Sequence, residues 1–209
     1  MQKKKPAPKV PVHGPQHARQ VRIIGGDWKR TPLPVLEALG RRPTPDRVRE
    51  TVFNWLNHLN GDWAATRVLD LFAGSGALGF EAASRGAKHV LMADANTAVV
   101  RQLQAVADKL KAANVVVQRT DALALAQALG QRGERFDVIF LDPPYQQDFL
   151  QRTLPLCDKL LSEGGLVYAE SGLPFDADGA VPDWLAPWEV VRQDKAGMVH
   201  FHLLRRRET

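Results

Sequence analysis

Short apolar runs alternate with helical segments between residues 67 and 170, and this alternation restricts the fold more than any other feature of the chain. Strands separated by helices predict a parallel sheet, because parallel neighbours need a long crossover connection. The predicted strands are Arg67–Leu71, His89–Ala93, Val115–Arg119, Phe136–Leu141 and Gly165–Glu170. The predicted helices between them are Ala77–Ser84, Thr97–Lys111, Ala122–Leu129 and Gln147–Leu161.

Both ends of the chain add to this core. After residue 170, two extended runs, Trp188–Arg192 and Val199–Leu204, predict a hairpin that gives the sheet an antiparallel last strand. Near the start, extended runs on either side of Gly25-Gly26 predict a second, smaller hairpin. Apolar residues at helical spacing then predict a helix that ends at about Leu59.

This helix has a clear start signal, with Thr44 as the expected N-cap and Pro45 as the expected first helical residue. The predicted fold class is α/β: a doubly wound, mostly parallel, seven-stranded Rossmann-like sheet with an antiparallel C-terminal strand. A small hairpin and helix extend it at the N-terminus. We expect a basic disordered tail at residues 1–20, the hairpin and helix at residues 21–60, and the sheet domain at residues 61–209.

Positive charge is concentrated at one end of the chain. Residues 1–50 hold 12 lysines and arginines against 4 acidic residues, a net charge of +8, whereas the whole chain has a net charge of +5. A positive arm on a neutral-to-acidic body predicts an element that binds a polyanion such as RNA. The candidate contacts are Arg22, Lys29, Arg30, Arg42, Arg47 and Arg49.

Cysteine content and hydropathy predict a cellular location. The single cysteine, Cys157, excludes an internal disulfide and a cysteine-rich zinc site. No apolar run reaches the roughly 20 residues of a membrane helix, and the basic start is not followed by the apolar segment of a signal peptide. We therefore expect a soluble cytoplasmic protein, a monomer, without a metal site or a membrane partner.

The turn after the strand at residue 67 is rich in glycine. Gly74, Gly76 and Gly79 satisfy the G-x-G-x-x-G spacing, and Asp94 follows 20 residues after Gly74 at the end of the next strand. This spacing alone also fits a nicotinamide enzyme. Asp70, however, precedes the glycines where a carboxylate would repel a pyrophosphate but could meet an ammonium group. S-adenosylmethionine fits both features, since it carries ribose hydroxyls, an ammonium group and a sulfonium cation but no phosphate.

The strand Phe136–Leu141 runs into the tetrapeptide Asp142-Pro143-Pro144-Tyr145. The two prolines lack an N–H and stop the strand, so the Asp142 carboxylate and the Pro143 carbonyl remain available as acceptors. They lie at the carboxyl end of a strand, where open α/β sheets bind ligands. With an aromatic ring beside them, these acceptors suit a flat substrate that presents an amino group.

The motifs resemble, in order and spacing, those of class I S-adenosylmethionine-dependent methyltransferases that act on exocyclic amino groups. That resemblance rests on the glycine loop, Asp94, Asp121 after the third strand, and Asp142-Pro143-Pro144-Tyr145. Two further motifs lie near the N-terminus: Arg22-Ile23-Ile24-Gly25-Gly26, and Arg42-Pro43-Thr44 through Asn54-Trp55-Leu56. They resemble, more narrowly, those of the RsmD family, the 16S rRNA guanine-N2 methyltransferases.

The resemblance implies a methyltransferase sheet that binds S-adenosylmethionine. Asp94 would hold the ribose, at a position where family members often carry glutamate. Asp121 would hold the adenine amino group, serve as the N-cap of the helix that follows it, or do both. Gly74 and Gly76 would allow a close approach of the backbone, and Asp142 would border the cofactor.

The resemblance also implies how the target is held. Asp142 and the Pro143 carbonyl would each accept one N–H of the target amine, and Tyr145 would stack on a base taken out of its helix. The implied reaction is methyl transfer to the N2 amine of a guanine in 16S rRNA, presented as free RNA or as a small ribosomal subunit particle.

Two other functions stay open at this point. A DNA adenine-N6 methyltransferase would use a similar tetrapeptide, but we expect the 64 residues after Tyr145 to leave no room for a large DNA-recognition domain. A non-catalytic RNA-binding assembly factor would keep the basic arm, but it would not need Asp142 beside Pro143.

Overall fold

The central feature of the fold is one mostly parallel sheet of seven strands. The computed structural model describes residues 21–36, 44–144, 148–175 and 181–208. In chain order its elements are β1 (Val21–Arg22), β2 (Pro32–Leu33), α1 (Asp46–Leu59), β3 (Arg67–Asp70), α2 (Ala77–Ser84), β4 (His89–Asp94), α3 (Thr97–Leu110), β5 (Val115–Arg119), α4 (Ala122–Gln131), β6 (Phe136–Leu141), α5 (Phe149–Cys157), β7 (Leu161–Ser171), β8 (Trp188–Ala196) and β9 (Val199–Arg206). The spatial order is β5-β4-β3-β6-β7-β9-β8, and β9 is antiparallel to both its neighbours. The predicted α/β class, parallel sheet and antiparallel C-terminal strand are confirmed.

The two faces of the sheet are covered by different elements, as a doubly wound fold requires. On one face, α1, α2, α3 and the N-terminal hairpin pack over the strand residues Val68, Val90, Val138 and Phe140. On the other face, α4 and α5 pack over Leu69, Leu91 and Ile139. Because β3, β4 and β6 are parallel, their carboxyl ends meet at one edge of the sheet.

Most predicted boundaries agree closely with the structure, but the last helix and the last hairpin do not. Helix α5 ends at Cys157 instead of residue 161, because Leu161 pairs with Phe136 and begins β7. Strand β8 continues to Ala196, so most of the predicted connection before β9 is strand. Both differences come from pairing with a neighbouring strand, which local sequence does not report.

The N-terminal hairpin is tied to α2 by backbone groups. The amides of Ile24 and Gly25 donate to the Glu81 carboxylate, at 2.6 and 2.9 Å. Gly26 has a φ of +74°, and a Cβ there would lie 1.9 Å from the carbonyl oxygen of Ser84. The glycine pair is therefore a packing requirement, and the hairpin shares the core of the sheet. The predicted division between residues 60 and 61 stays a prediction, and the predicted tail lies outside the described residues.

Helix α1 begins one residue later than predicted. Its N-cap is Pro45, no side chain caps it, and its first residue is Asp46. The prediction of Thr44 as N-cap is therefore wrong. The Thr44 hydroxyl donates instead to Oδ2 of Asp142, at 3.1 Å, a contact that spans 98 positions of the chain.

The helices are short. Among the described residues the longest are α1 and α3, with 14 residues each. A helix that spans a bilayer needs about 20 apolar residues, and no described helix is long and apolar enough to cross a membrane.

Candidate active site

The glycine loop connects β3 to α2 at the carboxyl edge of the sheet. Gly76 has a φ of +77° and precedes α2, and a Cβ there would lie 2.5 Å from the Phe80 ring and 2.7 Å from Leu103. Its amide N–H donates to the Ala73 carbonyl. Gly76 is therefore required for packing of the turn against Phe80 and Leu103, and its predicted cofactor contact stays a prediction. A Cβ on Gly74 would meet only a carbonyl oxygen, at 3.8 Å, so this glycine leaves open space for a close approach.

Asp94 ends β4 directly beside this loop, as predicted. Its Oδ2 accepts a hydrogen bond from the Gly74 amide at 3.2 Å, and its Oδ1 accepts one from the Asn96 amide at 2.8 Å. The side chain is 8% exposed. A carboxylate offers about four lone-pair sites, so two remain for ribose hydroxyls. Its predicted ribose contact therefore stays a prediction that fits the geometry.

Asp70 lies beneath the loop and is 1% exposed. Burial raises its pKa from the usual 3.8 to about 7, against the effect of the Phe72 and Gly79 backbone amides. These amides face the carboxyl without good hydrogen-bond geometry, since neither oxygen has a hydrogen-bond partner among the described residues. The predicted contact of Asp70 with an ammonium group stays a prediction, and it would need the carboxyl to become more accessible than the 1% seen here.

Asp142 follows β6 at the same edge. Burial of its carboxyl raises its pKa well above the usual value, and the nearby Glu170 raises that pKa further. The Thr44 hydroxyl opposes both effects, and a smaller contribution from Asp70 adds to them. Pro143 is buried behind it, whereas the predicted stacking residue Tyr145 lies outside the described residues.

Asp121 is the N-cap of α4, since its Oδ1 accepts a hydrogen bond from the Ala124 amide at 3.0 Å. This alternative from the sequence is confirmed. The residue is exposed and borders a cleft of about 650 Å³. Phe149 and Leu123 give this cleft apolar walls. A planar adenine would fit such a lining, and the predicted contact with its amino group stays a prediction.

The basic candidates fall into three groups. Those exposed on the hairpin and on α1 are Arg22, Lys29, Arg30 and Arg47. Arg42 lies outside the described residues. The prediction of Arg49 as an RNA contact is wrong, because its side chain is fully buried.

Arg49 holds the elements around it together. Its guanidinium donates to Asp46 at 2.6 Å and to the Arg22 carbonyl at 2.9 Å, and lies 3.8 Å from the Glu81 carboxylate. Burial lowers its pKa, and the Asp46 and Glu81 carboxylates oppose that change. The sequence placed this arginine off the apolar stripe of α1, but the hairpin and α2 cover that part of the helix.

Sequence reasoning missed Thr44, Tyr168 and Glu170. The Tyr168 hydroxyl donates to Glu170 Oε1, and both residues are buried on β7. A signal for Glu170 was present, because a carboxylate at the end of a predicted buried strand is unusual. Thr44 gave no such signal, because a threonine before Pro45 is already accounted for as the expected N-cap of the helix.

Comparison with known proteins identifies the family. A family model described as Conserved hypothetical protein 95 matches residues 21–205. The ribosomal RNA small subunit methyltransferase D of Escherichia coli (strain K12) is 39% identical over 189 residues, covering 90% of this chain and 90% of its own. The chain belongs to this family, the RsmD family.

Further RsmD relatives and solved structures agree. The Haemophilus influenzae protein of the same name is 36% identical and covers 92% of this chain and 97% of its own. The solved structure of Escherichia coli yhhF has a TM-score of 0.77 at 38% identity, covering 90% of this chain and 98% of its own. The structure of SMU.776, complexed with SAH, shares the fold at a TM-score of 0.62 and 16% identity. The match covers 76% of this chain and 48% of the SMU.776 chain. The predicted family, fold, methyltransferase activity and cofactor class are confirmed at the level of the family.

Proposed function

We propose that this protein transfers a methyl group from S-adenosylmethionine to the exocyclic N2 amine of a guanine in 16S rRNA. The observation that carries the proposal is the place of Asp142, whose carboxyl lies after β6, ahead of Pro143 and at the same sheet edge as the glycine loop. Relatives named ribosomal RNA small subunit methyltransferase D support an rRNA substrate. The partner is the RNA or a small-subunit particle, and the protein works as a cytoplasmic monomer.

The residues at the sheet edge fit the cofactor. Asp94 would hold the ribose with its remaining lone pairs, the open side of Gly74 would face the cofactor backbone, and Asp121 would meet the adenine amino group at the cleft. Asp70 beneath the loop would favour a bound cation through its charge. S-adenosylmethionine supplies an electrophilic methyl group when bound.

The chain's own contribution to the reaction is to orient the target amine. The lone pair of the guanine N2 amine is delocalised into the ring, which makes the amine a poor nucleophile. The Asp142 carboxylate and the Pro143 carbonyl would each accept one N–H, fixing the amine with its lone pair directed at the methyl group. The same two acceptors stabilise the positive charge that develops on nitrogen. Tyr145 would stack on the base after it leaves its helix.

The experiment that tests this function replaces Asp142. Asp142→Ala removes one acceptor, and loss of one such group typically lowers turnover by about 10²–10³-fold. Asp142→Asn keeps the size but turns an NH₂ donor toward the N1–H of guanine, so we expect severe impairment as well. The measurement is single-turnover transfer of labelled methyl to small-subunit rRNA at saturating cofactor.

The control is Asp183→Asn, which changes an exposed carboxylate remote from the glycine loop along the chain. It should transfer methyl at the parent rate, and all variants should still bind S-adenosylmethionine. An Asp142→Ala variant that transfers methyl at the parent rate would remove Asp142 from the reaction and end the proposal.

A further inference from the structure

The Asp142 carboxyl lies between two buried groups. On one side, the β6–β7 register pairs Phe140 with Tyr168 and Leu141 with Ala169, so Glu170 lies next to Asp142. Glu170 is 2% exposed and accepts a hydrogen bond from the Tyr168 hydroxyl. Asp142 itself is half-buried, and two adjacent carboxyl groups largely shielded from solvent cannot both carry a full charge without a cost.

On the other side of Asp142 lies Thr44. Its hydroxyl donates to Oδ2 of Asp142 at 3.1 Å, and the residue is 5% exposed. Its carbonyl accepts a hydrogen bond from Nε of the buried Arg49, which Asp46 and Glu81 hold in turn. Thr44 is therefore held through the buried Arg49 before any substrate binds.

Among the residues that the structure describes, few other charged groups face Asp142. On the same face of the sheet, Asp70 of β3 contributes a further like charge, and Tyr168 of β7 contributes its hydroxyl to Glu170. His202 of β9 pairs with Ala169, whose side chain points to the opposite face of the sheet. Behind Thr44 lies the cation of Arg49, which donates to the Thr44 carbonyl and is paired with Asp46 and Glu81.

We propose that Thr44 and Glu170 are positioning residues that control the proton on Asp142 from opposite sides, Thr44 stabilising the carboxylate and Glu170 stabilising the acid. The inference rests on the proposed role of Asp142 as an acceptor for the target amine. A donated hydrogen bond favours the charged acceptor, whereas a neighbouring carboxylate disfavours it. Burial has the largest effect on the pKa of Asp142 and raises it; Glu170 raises that pKa further, and the Thr44 hydroxyl lowers it.

The consequence is a pH limit on the reaction. A protonated Asp142 carries an O–H donor where the N1–H and N2–H edge of guanine needs acceptors. Methyl transfer is therefore lost as the pH falls through the raised pKa of Asp142. Thr44 moves this limit to lower pH and Glu170 moves it to higher pH.

The test is the pH–rate profile of single-turnover methyl transfer in three variants of the full chain. Thr44→Val should lower the neutral-pH rate by about ten-fold, as expected for a lost hydrogen bond to a charged group, and shift the acid limb to higher pH. Glu170→Gln should shift the acid limb to lower pH. Thr44→Ser keeps the hydroxyl and should restore the parent profile. Carbon-13 NMR titration of the Asp142 carboxyl should report the same shifts without turnover.

The outcomes separate this inference from the proposed function. If Asp142→Ala is inactive while Thr44→Val and Glu170→Gln lower the rate without moving the acid limb or the NMR titration, both residues are only structural and the inference is overturned. Shifts of the two variants in the same direction would overturn it as well. An active Asp142→Ala would instead overturn the proposed function. Thermal melting and S-adenosylmethionine affinity at neutral pH identify any variant that fails to fold, and the predicted shift of the acid limb in the other of Thr44→Val and Glu170→Gln then decides the inference.

Discussion

At the residue scale, Gly74 and Gly76 meet different physical demands within one turn. A Cβ on Gly76 would overlap the side chains of Phe80 and Leu103, whereas a Cβ on Gly74 would enter open space, where the proposed cofactor would lie. We expect Gly76→Ala to lower the free energy of unfolding by about 2–4 kcal/mol, from overpacking together with a left-handed backbone. Gly74→Ala should cost about 1–2 kcal/mol of stability, from backbone strain alone, but weaken S-adenosylmethionine binding.

Thermal melting and calorimetric titration of the two variants provide the check, with each serving as the control for the other. A Gly76→Ala protein that melts with the parent would show that the packing argument is wrong. A Gly74→Ala protein with parent affinity would place the cofactor away from this turn.

Asp70 makes stability depend on pH. Its folded pKa of about 7 lies above the usual 3.8 because burial disfavours the charge. Between these two values the folded protein holds a proton that the unfolded chain has released. The free energy of unfolding therefore falls as the pH rises, by about 1.4 kcal/mol per pH unit from this group, and the loss is complete above the folded pKa.

Asp70→Asn should remove this part of the pH dependence. The variant should gain stability relative to the parent as the pH rises from about 4 to about 8, as measured by urea unfolding. The exposed Asp183→Asn serves as the control and should follow the parent. A stability difference between Asp70→Asn and the parent that stays constant over this range would contradict a raised pKa for Asp70.

At the scale of the element, α1 holds two arginines in opposite environments. Arg47 is exposed and donates to the Lys195 carbonyl at 3.2 Å, whereas Arg49 is buried against Asp46 and Glu81. We expect Arg49→Met to lower the free energy of unfolding by about 3–5 kcal/mol, because it leaves carboxylates without their cation. Arg47→Glu should leave stability within about 0.5 kcal/mol of the parent.

RNA binding should depend on Arg47 together with the other exposed cations of the hairpin. Arg47→Glu, combined with reversal of the exposed Arg22, Lys29 and Arg30, should weaken binding and reduce its salt dependence, because fewer counterions are released. Lys109→Glu, at the far end of α3, is the matched control and should bind like the parent. Filter binding over a salt series measures both quantities. Parent affinity and salt slope in the reversed variant would place the RNA surface on another part of the protein.

The conformation of the N-terminal hairpin depends on its contacts with α2 as well as on its own turn sequence. Its sequence has the glycines of a tight turn, and a turn is what local reasoning predicts. The structure adds that Gly26 touches the backbone of α2 and that the amides of Ile24 and Gly25 bind Glu81. The family motif at the N-terminus is therefore explained by docking of the hairpin, with its exposed cations left for a partner.

At the scale of the whole molecule, the parallel sheet brings distant carboxyl groups to one edge. Asp70 and Asp94 end β3 and β4, Asp142 directly follows β6, and Glu170 is the penultimate residue of β7. The order of the motifs along the chain predicted the first three, because parallel strands share a carboxyl edge. Glu170 also ends a predicted strand, but its position beside Asp142 follows from the β6–β7 register.

The sequence by itself determined the strands and helices of the sheet core, the glycine turn, and Asp142 with its prolines. These features depend on neighbours along the chain: periodicity, the missing proline N–H and the freedom of glycine at positive φ. Only the tertiary structure decided that Thr44 bonds Asp142 and that Arg49 is buried. The physical reason is that burial and hydrogen-bond partners belong to contacts between residues far apart in the chain, and a residue's type and local spacing are the same whichever contact it makes.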